Sequence, residues 1–76
     1  MYLKEQILEN DAVICNENET RFYSTGSQML VDNIENATVL FFKDAEIMVN
    51  NLTEFFEGEN IKAIYVKDFL KKEENR

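Results

Sequence analysis

From Asp44 to Gly58 the apolar residues recur at helical spacing, and a strand-like apolar run stands on each side. At the roughly 100° step of an α-helix, Ala45, Met48, Val49, Leu52, Phe55 and Phe56 fall on one face. Glu46, Asn50, Thr53, Glu54 and Glu57 fall opposite, and Ile47 lands among them. Asp44 suits an N-cap, Glu46 suits the positive end of the helix dipole, and Gly58 stands where a left-handed residue after the helix belongs. Before this helix, Ala37-Thr38-Val39-Leu40-Phe41-Phe42 is β-branched, aromatic and uncharged. After it, Ile61-Lys62-Ala63-Ile64-Tyr65-Val66 reads as another strand. Strand, helix, short loop, strand is the β-α-β pattern. If the two strands are parallel neighbours, a right-handed crossover is the default.

The rest of the chain is rich in β signals. Ala12–Cys15 and Thr20–Ser24 read as strands joined by the polar loop Asn16–Glu19, a hairpin. Thr25-Gly26-Ser27 is a second turn. Gln28–Val31 reads as a strand, with a helix capped by Ser27 as the alternative. Residues 2–10 read as a short helix carrying Leu3 and Ile7, and Asp68–Lys72 as a further helical turn. Residues 73–76 are expected to fray. At 76 residues and 45% hydrophobic, the chain is long enough for one domain and too apolar for a disordered acidic tail. The expected fold is α+β over residues 1–76. It has a small, mostly antiparallel sheet of about four strands with one amphipathic helix packed on it, ending in the β-α-β unit.

Composition removes most chemistry. There is no His, so neither a serine triad nor a cysteine–histidine pair can be built. One Cys without His holds no structural zinc and forms no internal disulfide. Two distant glycines leave no phosphate-binding loop. The expectation is a non-enzyme with no cofactor and no metal. Glu17-Asn18-Glu19 and Asp32–Asn36 offer oxygen ligands but lack the Gly and Glu of a calcium loop, and read as polar turns. Cys15 reads as a small buried hydrophobe. Tyr2, Phe22 and Tyr23 would stack on bases only beside a basic groove, so no direct nucleic-acid binding is expected. No apolar run approaches the ~18 residues of a membrane span, and Met1–Glu5 carries acid where a signal peptide is apolar. A cytoplasmic location is expected.

Charge is the strongest functional signal. The formal net charge is −7. Residues 1–61 hold twelve acids and three bases, whereas residues 62–76 hold five bases and three acids. No base lies between Lys4 and Arg21 or between Lys43 and Lys62. A merely soluble helix gains from Lys four residues after Glu, and this helix has none after its first position. Its self-repulsion would be relieved by a basic partner. In size, charge and composition the chain resembles small acidic phage inhibitors that mimic DNA, although no motif matches. Phe, Tyr, Ile, Asn and Lys, whose codons are AT-rich, far outnumber Gly, Ala, Arg and Pro, as in a low-GC bacterium or a phage.

The leading expectation is an acidic inhibitor of a basic, nucleic-acid-binding protein. Glu17, Glu19, Glu46, Ile47, Glu54, Glu57 and Glu59 are the candidate partner-binding residues. The alternative is a small regulatory or structural homodimer whose acidity only confers solubility. Strand alternation motivates it. Leu40 and Phe42 with Ile64 and Val66 would form one apolar sheet face that a single helix leaves open. A second copy or the terminal segments around Leu3-Ile7 and Phe69-Leu70 must cover it.

Overall fold

The computed structural model of the protein describes residues 8–56 and 58–74. Its central element is β1 (Asp11–Asn16), whose inner residues Ala12, Val13, Ile14 and Cys15 are all buried. An uninterrupted apolar strand of this kind needs cover on both faces. β1 also has pairing on both edges. β5 (Ile61–Tyr65) runs antiparallel along one edge, from Ala12↔Tyr65 to Asn16↔Ile61. The other edge is shared. β2 (Phe22–Ser24) pairs at Cys15↔Phe22, and β4 (Leu40–Phe41) pairs at Asp11↔Phe41 and Ala12↔Leu40. β3 (Met29–Val31) pairs antiparallel with β2. The five-stranded antiparallel sheet carries two helices, α1 (Phe42–Leu52) and α2 (Val66–Glu74), which makes a small α+β fold.

The β-α-β unit is present as β4-α1-β5, but its strands are not neighbours. Both run antiparallel to β1 on its opposite edges. They are therefore parallel to each other with β1 between them, because only there can the apolar run of β1 be buried and paired throughout.

Local chemistry explains the turns and the shifted boundaries. The hairpin loop closes on Asn16. Its Oδ1 accepts from the Thr20 and Arg21 N–H groups at 2.9 and 3.0 Å, and its Nδ2 donates to Thr20 Oγ1 at 2.9 Å. Only Leu40–Phe41 of the expected strand 37–42 joins the sheet. Ahead of it, a 3₁₀ turn at Ile34–Asn36, capped by Asn33 Oδ1, feeds Ala37 and Val39 into the core. α1 starts at Phe42, two residues before Asp44, and has no side-chain cap. It stops at Leu52, where the Thr53 N–H and hydroxyl both donate to the Val49 carbonyl. Past Leu52 the helical phase is lost. Phe56 turns in against Tyr23, with ring centroids 5.9 Å apart, whereas Phe55, which helical spacing assigned to the core face, is 80% exposed. Gly58, at φ +87°, serves the loop that follows instead of the helix end.

Two cores flank the sheet. On one side Ala12, Ile14, Tyr23 and Leu30 meet Ala45 of α1, together with Met48, Val49 and Leu52. On the other, Val13, Cys15 and Phe22 meet Val66, Phe69 and Leu70 of α2, with Ile34, Ala37 and Val39 beside them. α2 is longer than the expected turn. It begins at Val66, and it includes Glu73 and Glu74 of the expected frayed tail. Of the helix expected over 2–10, residues 1–7 lie outside the described residues. Leu8–Asp11 form a turn closed by the Asp11 N–H on the Leu8 carbonyl at 3.1 Å.

The contact that fixes α2 is the edge-to-face pair Phe22–Phe69, with centroids 5.2 Å apart. Phe69→Ala should cost about 2 kcal/mol for a half-buried ring, lowering the thermal midpoint by roughly 8–16 °C in a domain of this size. Ile47→Ala, on the solvent side of α1, should stay within about 0.5 kcal/mol of wild type. Thermal unfolding followed by circular dichroism reads both.

Candidate interaction surface

Some acids of the stretches without bases along the chain meet bases in space. Pairing of β1 with β5 brings residues 59–62 beside the hairpin loop, and α2 crosses toward the same place. Glu19 holds the left-handed position of that loop, at φ 58°. From there its carboxylate reaches Lys62 Nζ at 3.2 Å and Lys72 Nζ at 3.3 Å. Burial alone would raise the Glu19 carboxyl. Hydrogen bonds and charge from the two lysines outweigh it, and the group is held below its ordinary value. Glu59 pairs with Arg21 at 3.5 Å, and Glu17 accepts from Asn60 Nδ2 at 3.4 Å. Glu9 pairs with Lys67 at 3.5 Å.

The candidate partner-binding residues therefore separate. Glu17, Glu19 and Glu59 are engaged within the chain. Glu57 lies outside the described residues. Glu46, Ile47 and Glu54 remain open toward solvent on and just beyond α1. Lys43, Ile47 and Asn50 form the row opposite the core, spaced i, i+4, i+7. Asp44 and Glu46 flank it. Among the described residues the side chains of Asp44, Glu46 and Glu54 have neither an ion pair nor a hydrogen bond. Ile47 is 56% exposed, and Phe55 stands out beyond the helix end beside a shallow cup of ≈ 400 Å³. Ile47 is thus an exposed apolar residue bordered by Lys43, Asp44 and Glu46.

The four residues expected on one apolar face divide between the two cores. Leu40 and Phe42 pack on the α1 side, and Phe42 stacks on Tyr65 with centroids 4.1 Å apart. Ile64 and Val66 pack on the α2 side, where Val66 is fully buried. Phe69 and Leu70 of α2 supply the cover on that side. Cys15 sits in the same core. Burial, and then the charge of Glu19, push its thiol up to about 11, so it stays protonated and acts as an apolar filler.

Among the described residues no group of three or more Cys, Asp and Glu side chains is placed to hold a metal ion, and no helix is long and apolar enough to cross a membrane. The Glu19 clamp had no signal in the sequence, since its lysines lie 43 and 53 positions away. Phe55 was hidden by the helical spacing that continues past the true helix end. Compared with protein-family models, with curated proteins and with solved structures, the chain has no match.

The clamp makes stability depend on pH. Because the Glu19 carboxyl is lowered in the folded protein, its contribution is fully present above the ordinary carboxylate pKa of 4.5. It is lost as pH falls through the lowered folded value. Glu19→Gln should melt below wild type near pH 7, and the gap should narrow progressively as the pH is taken below 4.5. A gap that stays constant over that range would show that the carboxylate charge is not what the lysines hold.

Proposed function

We propose that this protein is a non-enzymatic acidic interaction protein that binds and inhibits a basic, nucleic-acid-binding protein, with the outer face of α1 as its contact surface. One observation carries the reading. Asp44, Glu46 and Glu54 have no cation of their own chain among the described residues, whereas Glu9 and Glu59 each have one and Glu19 has two. Acids left unpaired around exposed Ile47 repel one another, and a basic partner relieves that repulsion. Proteins that bind nucleic acid carry such basic surfaces, because phosphate contacts supply much of their affinity. Occupying that surface blocks the nucleic acid, as a DNA mimic does.

Ile47 is the apolar anchor and the acids steer the encounter. Glu46→Lys with Glu54→Lys should slow association about tenfold or more at low salt and much less at high salt, because exposed charge acts on the on-rate. Ile47→Ala should speed dissociation, at a cost of about 1–2 kcal/mol. Glu59→Gln, within an internal pair, should change binding little. The experiment is capture from a low-GC bacterial lysate on immobilised wild type and variants, with salt or free DNA as eluent, followed by surface-binding kinetics on the captured protein. Retention of basic proteins equally on wild type and on the Glu46/Glu54 variant would sink the reading. A homodimer whose acidity only keeps it soluble is the competing reading, and it expects no partner sensitive to these residues.

A further inference from the structure

β5 pairs with β1 on one side and, among the described residues, with nothing on the other. Alternation along an antiparallel ladder tells which backbone groups face that open side. The Asn16 N–H donates to the Arg21 carbonyl at 3.0 Å, and the Phe42 N–H to the Asn10 carbonyl at 2.9 Å. The even-numbered residues of β1 thus face β2 and β4, and Val13 and Cys15 face β5. Their register partners Ile64 and Lys62 spend their backbone groups on β1. Ile61, Ala63 and Tyr65 turn theirs outward. The N–H groups of all three and the carbonyls of Ile61 and Ala63 have no partner among the described residues.

Sheet edges are ordinarily blunted by proline, by a bulge or by an outward-standing charge. β5 has no proline, and its register with β1 runs without a break. Its one charged residue, Lys62, is drawn toward Glu19 at 3.2 Å. Neither helix covers the edge. A hollow of ≈ 490 Å³ opens over Ala63, Ile64 and Tyr65, and one of ≈ 320 Å³ over Ile61, Lys62 and Ala63.

We infer that a second copy of this chain occupies this edge, β5 against β5, antiparallel about a two-fold axis at Ala63. The pattern is self-complementary. Each Ala63 N–H meets the Ala63 carbonyl of the second copy, and each Tyr65 N–H meets the opposite Ile61 carbonyl. Ala63, with its small side chain, lies at the axis, and Ile61 lies beside the second Tyr65. Charge also fits. Two copies of net charge −7 repel, but along this edge Lys62, Lys71 and Lys72 offset Glu19, Asp68 and Glu46. α2 runs back along β5, because Val66 follows Tyr65 whereas Lys72 reaches Glu19 near the start of β5. Asp68 therefore lies toward the Tyr65 end and Lys71 toward the Ile61 end. Both line the larger hollow, and neither has an ion pair among the described residues. An antiparallel two-fold sets the Asp68 of each copy opposite the Lys71 of the other. Glu46 and Asn50 of α1 border the smaller hollow, so the test of this edge is placed on Asp68 and Lys71 of α2, and its failure leaves the proposed partner contact on α1 standing.

Amide exchange and light scattering on the wild-type protein test the arrangement, from micromolar to millimolar concentration. The mass should double from 9.0 kDa. Over the same range exchange at the Ala63 and Tyr65 amides should slow at least about tenfold, while Lys62 and Ile64 are protected throughout. Asp68→Lys should weaken the dimer about fivefold or more at low salt, and Asp68→Lys with Lys71→Asp should restore it. The inference is overturned by a 9.0 kDa species at every concentration. It is equally overturned by a dimer in which Ala63 exchange does not change, or by Ala63 protection already present in the monomer.

Discussion

The protein is organised by the burial of β1 on both faces at once. Val13 and Cys15 point to one side, and Ala12 and Ile14 to the other. A strand placed this way has to satisfy its backbone groups on both edges, because water cannot reach them. β5 takes one edge, and β2 with β4 divide the other. Two separate covers are then required. α1 supplies one, and α2 with the segment through Ala37 and Val39 supplies the second. In a chain this short, those demands explain the order of elements. β1 is inserted into the β-α-β unit because no other position gives it a partner on each side.

The same register distributes the charge. Antiparallel pairing of β1 with β5 sets Cys15 against Lys62 and brings the hairpin loop over the start of β5. Glu19 can then hold Lys62 and Lys72 together. Its left-handed backbone is sparsely populated for a residue with a side chain, and Gly or Asn would enter it more easily. The carboxylate is what that position gains in exchange. Because Lys62, Lys67 and Lys72 are held by Glu19 and Glu9, the acids of α1 are left without an ion pair among the described residues. A molecule with one overall sign thus has a side that is locally balanced and a side that is not.

The binding and assembly proposals follow from that division. The unbalanced side is the outer face of α1, where Ile47 stands among acids and invites a partner of opposite charge. The balanced side includes the edge of β5 that is unpaired among the described residues, where two copies of an acidic chain can approach with least repulsion. Charge, more than apolar area, separates the two, since both sheet faces are already filled by the chain's own helices.

Periodicity and turn chemistry made much of the architecture legible. The β-prone residues of 12–15 and 20–24, the polar loop between them, the apolar arc of α1 and the run at 61–65 each announce an element, because local sterics and spacing decide them. The boundaries were less legible. Asp44 is a good cap in isolation, yet pairing of Phe41 with Asp11 starts α1 at Phe42. Phe55 keeps helical spacing, yet its N–H turns to the Leu52 carbonyl, an i→i−3 bond, and the regular helix has ended before it. Ile47 on the solvent face and the openness of Glu46 and Glu54 were readable from the helix alone. Only the tertiary structure decided that Glu17, Glu19 and Glu59 are engaged internally and that Leu40 and Phe42 part from Ile64 and Val66. The reason is physical. Propensity and amphipathicity act within a few residues, whereas strand register and the fate of a charge depend on groups tens of positions away that meet only when the sheet closes.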